Sequence, residues 1–296
     1  MRNKIREINL ETKEYPRLLA EIPGPPKRLF VVGDMDIRAP SVAIVGTRKA
    51  GALGLIIAEQ IAEGLARSGL TIVSGLAMGV DSAAHRGALK GGGKTIAVLG
   101  SGITDIYPKQ NTGLAEKILE TGGALISEYY DSVETHVGSF PARNRIISGL
   151  SVATVVVEAP EKSGALITAS RAAEQGRTVF VVPGPVNNRN YKGSHALIRD
   201  GGTLASSAED ILEDLGLLNS VEITESKNKT KKNILENLQN YDKTIVEAIL
   251  KIGRPTDADE IIELTKLSPQ IVGASLAVLT IENIVAEKTG KYTIID

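Results

Sequence analysis

Residues 41–81 read SVAIVGTRKAGALGLIIAEQIAEGLARSGLTIVSGLAMGVD, and this stretch decides the fold. Two short apolar runs, SVAIVG and LTIVSG, flank a longer segment whose apolar residues follow helical spacing through Ile57 and Ile61. A second helical segment, Val80 to Lys90, follows directly. Strands that are apolar throughout and alternate with helices are typical of a parallel sheet covered on both faces.

The alternation of apolar runs and helical segments continues to about residue 215. The further apolar runs are KTIAVLG, ALIS, VATVVVEA and TVFVVPG, and the helical segments after them cover residues 114–119, 143–149, 165–175 and 195–198. Strands separated by helices indicate βαβ units, whose strands pair in parallel. Residues 41–215 are therefore predicted to form an α/β domain with a doubly wound, Rossmann-like, mostly parallel sheet.

The segments that flank this domain have a different character. In residues 1–40, Pro23, Pro25 and Pro26 forbid a continuous helix, which predicts an extended arm packed on the core. Residues 216–238 lose their periodicity and include KNKTKK, which predicts a linker.

Residues 239–296 are predicted to form a small winged-helix domain. The pattern is three short helices followed by two β-rich runs around a Thr-Gly turn, and Ser268-Pro269 is a typical start for the third helix. Helices at this position often read duplex DNA. Because the third helix, PQIVGASLAVLTIEN, has no Lys or Arg, contact with a protein is favoured over reading of DNA.

Composition limits the classes of function. The chain of 296 residues has no cysteine, which excludes a disulfide framework, thiolate metal sites and a cysteine nucleophile. The first residues are charged and lack an apolar signal-peptide region, and no apolar run approaches the roughly 20 residues that span a bilayer. A cytoplasmic protein without a membrane association is expected.

Charge is distributed unevenly along the chain. The formal net charge of −1 argues against a globally basic nucleic-acid binder, so such binding requires a local patch. Residues 141–200 carry eight Lys or Arg against four Asp or Glu. Aromatic residues make up only 3% of the chain, which limits the stacking surfaces for single-stranded nucleic acid.

Glycine-rich turns follow the predicted strands, at the sheet edge where ligands bind in open parallel sheets. The first strand ends in Gly46-Thr47-Arg48, the second in Ser74-Gly75, and the third in LGSG. Glycine allows the close backbone approach that phosphate oxygens need, although each turn alone is equally consistent with packing. The spacing after Gly46 is not the dinucleotide fingerprint, and no P-loop motif is present, so NAD binding and P-loop hydrolysis are not expected.

The segment SFPARNRIISG, residues 139–149, places two arginines two positions apart just after Phe140, at a predicted loop-to-helix junction. Guanidinium groups bind phosphates with paired hydrogen bonds, and an aromatic ring can stack on a base. We expect Arg143 to face solvent for this purpose. Arg145 is equally consistent with an internal pair to a carboxylate.

From residue 15 to about 210 the chain resembles the DprA (Smf) family of DNA-processing proteins. The motifs that carry the resemblance are YPxLLxxIPxPPxxLF, VGTR, SGLAMGVDSAAHRGAL, VLGSGITDIYP, SEY, FPARNRIISGLS, VVVEAPEKSGALITASRAAEQGRTVFVVPG and GSHALIRDGG. The resemblance implies an extended Rossmann domain that binds and protects single-stranded DNA. It further implies help in loading the RecA recombinase during uptake of foreign DNA, and a homodimer formed through the Rossmann-like domain.

The resemblance also implies the site. Carried over by motif, the arginine of VGTR, the lysine after Tyr107-Pro108, and the Phe and first Arg of FPARNR would line a DNA pocket. The candidate DNA-binding residues are Gly46, Thr47, Arg48, Ser74, Gly75, Lys109, Phe140, Arg143 and Arg145. No catalytic residue, metal or cofactor is expected.

Three alternatives compete with this interpretation. Ser74, Asp81 and His85 could form a hydrolytic set, but His85 is more simply a packed histidine and Asp81 an orienting residue of its turn. A nucleotide phosphoribohydrolase of the lysine-decarboxylase-like group relies on a PGGxGT-x-x-E signature, which is missing here because only Glu158 and Thr168 flank the corresponding glycine. The third alternative is a pure scaffolding role, in which the glycine turns are kept for packing.

Overall fold

The computed structural model describes residues 4–35, 39–131, 138–217, 240–252, 254–281, 285–288 and 290–294. The chain divides into two compact units, Met1–Leu218 and Asn219–Asp296. The predicted linker 216–238 lies almost wholly outside the described residues, so its prediction stays untested.

The first unit contains a nine-stranded sheet. Its strands are β1 Arg6–Asn9, β2 Arg28–Gly33, β3 Ser41–Val45, β4 Thr71–Ser74, β5 Thr95–Leu99, β6 Ala124–Ser127, β7 Ala153–Val156, β8 Thr178–Val181 and β9 Thr203–Leu204. Their order across the sheet is β1-β2-β6-β5-β4-β3-β7-β8-β9. All neighbouring pairs from β6 to β9 are parallel, which confirms the predicted mostly parallel, doubly wound sheet.

Eight α-helices lie among the described residues of the first unit. They are α1 Arg17–Ala20, α2 Ala52–Arg67, α3 Val80–Lys90, α4 Thr112–Glu120, α5 Ser139–Gly149, α6 Gly164–Glu174, α7 Lys192–Arg199 and α8 Ala208–Asp214. Each predicted helical segment lies in one of them. The helix α5 begins four residues before the predicted start at Arg143, because a proline in the first turn, Pro141, is compatible with a helix.

The core lies on both faces of the sheet, as the apolar strands require. Along β5, Ile96 and Val98 pack in one cluster, whereas Ala97 and Leu99 pack in another. This period of two is that of a strand whose alternate side chains point to opposite faces. Burial on both faces explains why the strand sequences are apolar throughout.

The N-terminal segment does more than lie on the core. Strand β2 pairs antiparallel with β6 at one side of the sheet, and β1 pairs antiparallel with β2. In agreement with the prolines, the described residues 4–35 contain no long helix, and the four-residue α1 is the helix that forms there. The extended arm expected from the sequence thus contributes two strands of its own to the sheet.

The described residues of the second unit form three helices and a two-stranded antiparallel sheet. These are α9 Asn240–Ile252, α10 Ala258–Thr265, α11 Pro269–Ile281, β10 Val285–Lys288 and β11 Lys291–Ile294. A small apolar cluster that includes Ile249, Ile261 and Leu276 joins them. The elements occur in the predicted order, and their assignment as a winged helix stays a prediction.

Membrane-spanning potential was assessed for the described residues. No single helix among them combines the length and apolar character needed to cross a bilayer, and only the bent pair Ala258–Thr265 and Pro269–Thr280 meets both conditions when taken together.

Candidate nucleic-acid interface

The topology creates a crevice beside β3. From β3 the chain proceeds to β4 on one side and returns much later as β7 on the other, so the loops after β3 and β7 diverge. Such a switch point is where doubly wound sheets bind ligands. A cavity of about 390 Å³ lies there, which we call the switch-point cavity, and residues 45–49, 160, 162–165, 167 and 168 line it together with Ala77, Asp81 and helix α5 residues Phe140, Pro141, Arg143, Asn144 and Ile147.

A second cavity, of about 420 Å³, lies beside the loops that follow β4 and β5. We call it the tyrosine cavity, and its lining residues are Arg48, Lys49, Gly75, Ala77, Met78, Tyr107, Pro108, Gln110, Phe140 and Arg143. The two cavities share a wall that includes Arg48, Lys49, Phe140 and Arg143. Cationic and aromatic side chains therefore separate the two spaces.

Arg48 and Phe140 form the exposed part of this wall. Arg48 is exposed, and its Cζ atom lies 5.9 Å from the centroid of the partly buried Phe140 ring, a cation–π distance. Gly100 supports the ring from the strand side, because a Cβ atom there would lie 2.6 Å from Phe140 Cδ1. The sequence-predicted group Gly46, Thr47 and Arg48 thus reaches the switch-point cavity.

Arg143 does not face solvent, so that expectation is wrong. Its side chain is only 5% exposed, and Nη1 donates hydrogen bonds to the carbonyl oxygens of Gly75, at 2.8 Å, and Val98. Burial lowers the pKa of Arg143 to about 10, while the nearby Asp81 acts in the opposite direction. The guanidinium therefore stays charged near neutral pH and contributes positive potential to the wall that the two cavities share.

Arg145 is engaged away from the crevice. Its guanidinium donates to both carboxylate oxygens of Glu128, at 2.7 and 3.0 Å, and to the carbonyl oxygens of Gly24 and Ala142. The predicted internal pair is present, and the predicted DNA contact by this residue is not supported. The reason is helical geometry, since two residues on α5 differ in direction by about 200°.

Ser74 and Gly75 also serve the protein itself. Ser74 is fully buried and its hydroxyl donates to the carbonyl of Ile44 at 2.7 Å, so a hydroxyl contact with a ligand is not supported. The amide of Gly75 donates to Asp81 Oδ2 at 3.1 Å. A Cβ at Gly75 would lie 2.6 Å from the Arg143 guanidinium, so glycine is required here for packing.

Lys109 lies near the tyrosine cavity in sequence but does not line it. Its ammonium pairs with the carboxylate of Asp105, four residues earlier in the loop after β5, and both side chains are exposed. Exposed pairs of this kind are weak and leave the cation accessible to other anions.

The buried polar groups next to the crevice form no hydrolytic set. Asp81 Oδ2 accepts from the amides of Gly75 and Ala77, and burial raises its pKa against the effect of Arg143. His85 Nδ1 lies 2.7 Å from Thr95 Oγ1, and burial lowers the pKa of His85 to about 3, so the ring is neutral. Ser74, Asp81 and His85 each have separate partners.

Glu158 has a structural role as well. It is 1% exposed, and its carboxylate accepts hydrogen bonds from the Gly51 amide, at the start of α2, and from the Asn190 side-chain amide. It lines neither cavity.

Within the described part of the chain, no group of three or more acidic or histidine side chains is placed to hold a metal ion. His136 lies outside the described residues.

Several lining residues were not predicted from the sequence. Lys49 and Lys162 are exposed and belong to the loops after β3 and β7, while Asn144 and Tyr107 enter from α5 and from the loop after β5. Lys49 is adjacent to the predicted arginine, and Lys162 lies in the quoted motif APEKSG, so both had a sequence signal. The position of Tyr107 depends on how distant loops fold together.

The fold and the crevice define a doubly wound α/β protein in which cationic and aromatic side chains meet at the switch point of the sheet. A family model described as DNA recombination-mediator protein A matches residues 6–216. The chain belongs to this family, and the DprA (Smf) resemblance seen in the motifs is confirmed.

Relatives of known name support the assignment. Protein Smf of Escherichia coli is 44% identical over 209 residues, which cover 70% of this chain and 56% of that protein. The DNA processing protein DprA of Bacillus subtilis is 42% identical over 213 residues, which cover 71% of each chain. This chain thus spans little more than half the length of the Escherichia coli relative.

Solved structures share the fold of the first unit. The X-ray structure of DprA from Streptococcus pneumoniae has a TM-score of 0.66 at 41% identity, and the match covers 71% of this chain and 74% of that one. DNA processing protein A from Helicobacter pylori has a TM-score of 0.65 at 29% identity, with coverage of 72% and 96%. The latter structure concerns that protein's single-stranded DNA binding mode.

Proposed function

We propose that this chain binds and protects single-stranded DNA and promotes loading of the RecA recombinase, in DNA processing during natural transformation and recombination. One observation carries the DNA-binding part. Arg48 is exposed at the wall between two cavities, over the partly exposed Phe140 ring. No ion pair holds its guanidinium among the described residues, so it is available for phosphate.

The shape of the crevice favours an unpaired strand over a duplex. Both cavities are concave spaces of roughly 400 Å³ that open to solvent, and their size is typical of small-ligand sites. Unpaired bases can enter such spaces and stack on aromatic rings, whereas the bases of a duplex are stacked on each other. The structure of the Helicobacter pylori relative, which concerns that protein's single-stranded DNA binding mode, supports the same choice.

The wider role rests on family membership. Loading of RecA recombinase, a homodimer formed through the Rossmann-like domain, and a cytoplasmic location are proposed on the family resemblance and the sequence. Absence of catalysis is proposed too, because Ser74, Asp81, His85 and Glu158 all have structural hydrogen-bond partners.

The phosphoribohydrolase alternative would require a glutamate beside a bound ribose. Glu158 is the glutamate of the corresponding loop, and its carboxylate is occupied by the start of α2. Release of free base from a nucleoside monophosphate, measured by chromatography, would nevertheless overturn the proposed absence of catalysis.

The test is fluorescence anisotropy with labelled oligo-dT at two salt concentrations. The unmodified chain is expected to bind single strands with micromolar or tighter affinity and duplex more weakly. Arg48→Ala is expected to weaken binding by about tenfold to a hundredfold, because a charge-assisted hydrogen bond contributes about 1.5–3 kcal/mol. It should also reduce the slope of log affinity against log salt by about 0.7.

The matched control is Arg17→Ala. Arg17 has a side chain that is 90% exposed and pairs with Glu21, the residue directly after α1, so it reports the general effect of removing one positive charge. Equal affinities for Arg48→Ala and Arg17→Ala would contradict the proposed site. A lack of any oligo-dT binding by the unmodified chain would contradict the function and favour scaffolding.

A further inference from the structure

Tyr107 presents an aromatic surface to the tyrosine cavity. Its side chain is 53% exposed, and its ring meets Phe140 edge to face with centroids 5.6 Å apart and an interplanar angle of 61°. Met78, which is 45% exposed, lines the same cavity from the loop after β4. Exposed apolar side chains that line one cavity together are a feature of ligand-binding grooves, whereas single scattered ones are ordinary.

Phe140 by itself offers less free surface than Tyr107. The Arg48 guanidinium lies over its ring, Gly100 packs against its edge, and Tyr107 contacts it from the other cavity. The ring that is most accessible in the crevice is therefore that of Tyr107.

The chain holds Tyr107 and Met78 in a fixed relation. Asn111, one short turn after Tyr107, is buried, and its Nδ2 donates to Leu76 O at 2.7 Å and to Ser82 Oγ at 2.9 Å. Ser82 Oγ in turn donates to Ala77 O at 2.6 Å. These bonds link the loop after β5 to the loop after β4, so the surface is organised before a ligand arrives.

The two cavities differ in chemistry. The switch-point cavity contains Lys162, Asn144 and the start of α6, all suited to phosphate oxygens. The tyrosine cavity is lined on its far side by Tyr107, Pro108 and Met78, which suit the flat apolar face of a base.

We propose that Tyr107, supported by Met78, is a base-stacking subsite of the single-stranded DNA site, on the opposite side of Phe140 from Lys162, Asn144 and the start of α6. The proposal rests on the proposed function and names where one nucleobase lies. Stacking on a ring is tolerant of base identity, since every base has a π face.

The first experiment separates base contacts from backbone contacts. Binding of the full chain is measured with oligo-dT and with an abasic oligomer of the same length, which has the same phosphates but no bases. Tyr107→Ala is expected to weaken oligo-dT binding by roughly tenfold and to leave abasic binding unaltered. Tyr107→Phe, which keeps the ring, should weaken oligo-dT binding far less, and Arg48→Ala should weaken both oligomers.

A second measurement reads stacking directly. The chain has no tryptophan, so Tyr107→Trp places a single tryptophan fluorophore in the cavity. Oligo-dT is expected to quench its fluorescence, and the abasic oligomer is not. Tyr130→Trp is the matched control, because Tyr130 is 47% exposed, packs edge-on against Phe30 and lines neither cavity.

The outcomes separate the subsite from the function as a whole. If Tyr107→Ala weakens both oligomers equally, or neither, while Arg48→Ala weakens both, the subsite is wrong and the DNA-binding function stands. Equal quenching of the two tryptophan variants also overturns the subsite. If the unmodified chain binds neither oligomer, the proposed function falls and the subsite with it.

Discussion

A single buried guanidinium, that of Arg143, organises the region behind the crevice wall. It donates hydrogen bonds to the carbonyl oxygen of Gly75, directly after β4, and to that of Val98, in the neighbouring strand β5. It also lies close enough to Asp81 for the two charges to interact. A buried charge without partners is costly, so these contacts act as one unit. The residue positions the loop after β4 and places its positive charge in the wall that both cavities share.

Arg143→Ala is therefore expected to lower the free energy of unfolding by about 3–5 kcal/mol, because it leaves two buried carbonyls and the Asp81 charge uncompensated. The measurement is urea denaturation followed by circular dichroism. Arg17→Ala, at an exposed ion pair, is the control and should leave the free energy of unfolding almost unchanged. Equal stability of the two variants would mean that Arg143 is not a structural residue.

At the scale of elements, the start of α2 depends on a residue far away in sequence. Gly51, the residue before α2, has no side chain to cap the helix, and the buried Glu158 carboxylate accepts from its amide across the crevice. A negative charge at a helix start is also favoured by the helix dipole. This hydrogen bond therefore connects the loop after β3 to the loop after β7 at the switch point.

Glu158→Gln is expected to lower the free energy of unfolding by about 1–2 kcal/mol, since it removes the charge from buried hydrogen bonds. Thermal and urea denaturation would measure the change. The control is Glu161→Gln, three residues further along the same loop, where the carboxylate is exposed and pairs loosely with Lys192 at 3.7 Å. A stable Glu158→Gln variant would contradict the capping role and reopen the question of a catalytic glutamate.

At the scale of the whole molecule, both cavities belong to the first unit. The family match covers residues 6–216, and this unit has its own core on both faces of the sheet. The net charge of −1 does not oppose DNA binding, because four cationic side chains line the crevice locally, those of Arg48, Lys49, Arg143 and Lys162.

A chain cut to residues 1–218 is therefore expected to fold and to bind oligo-dT within about twofold of the full chain, as for independent sites. Circular dichroism checks the fold, and anisotropy checks the affinity. A folded fragment with greatly weakened binding would show that the second unit contributes to the DNA site.

The local pattern predicted the elements well where neighbouring residues decide them. The helix α3 has the predicted bounds Val80–Lys90, since Gly79 adopts a φ of 81° just before it. The helix predicted from Arg143 already contained both arginines of α5, but the local pattern did not say which face of this helix packs on the sheet. Because residues two positions apart point in nearly opposite directions on a helix, Arg143 turns inward and Arg145 turns toward Glu128.

The amino-acid sequence by itself determined the α/β class, the parallel sheet and the edge on which the glycine turns gather, because apolar periodicity and turn residues act over short distances. Only the tertiary structure decided which side chains reach the crevice. Arg48, Phe140 and Tyr107 meet there, whereas Arg143, Ser74 and Glu158 bond to protein groups. Those partners come from loops and strands distant in sequence, and their distances are set by packing that no local pattern encodes.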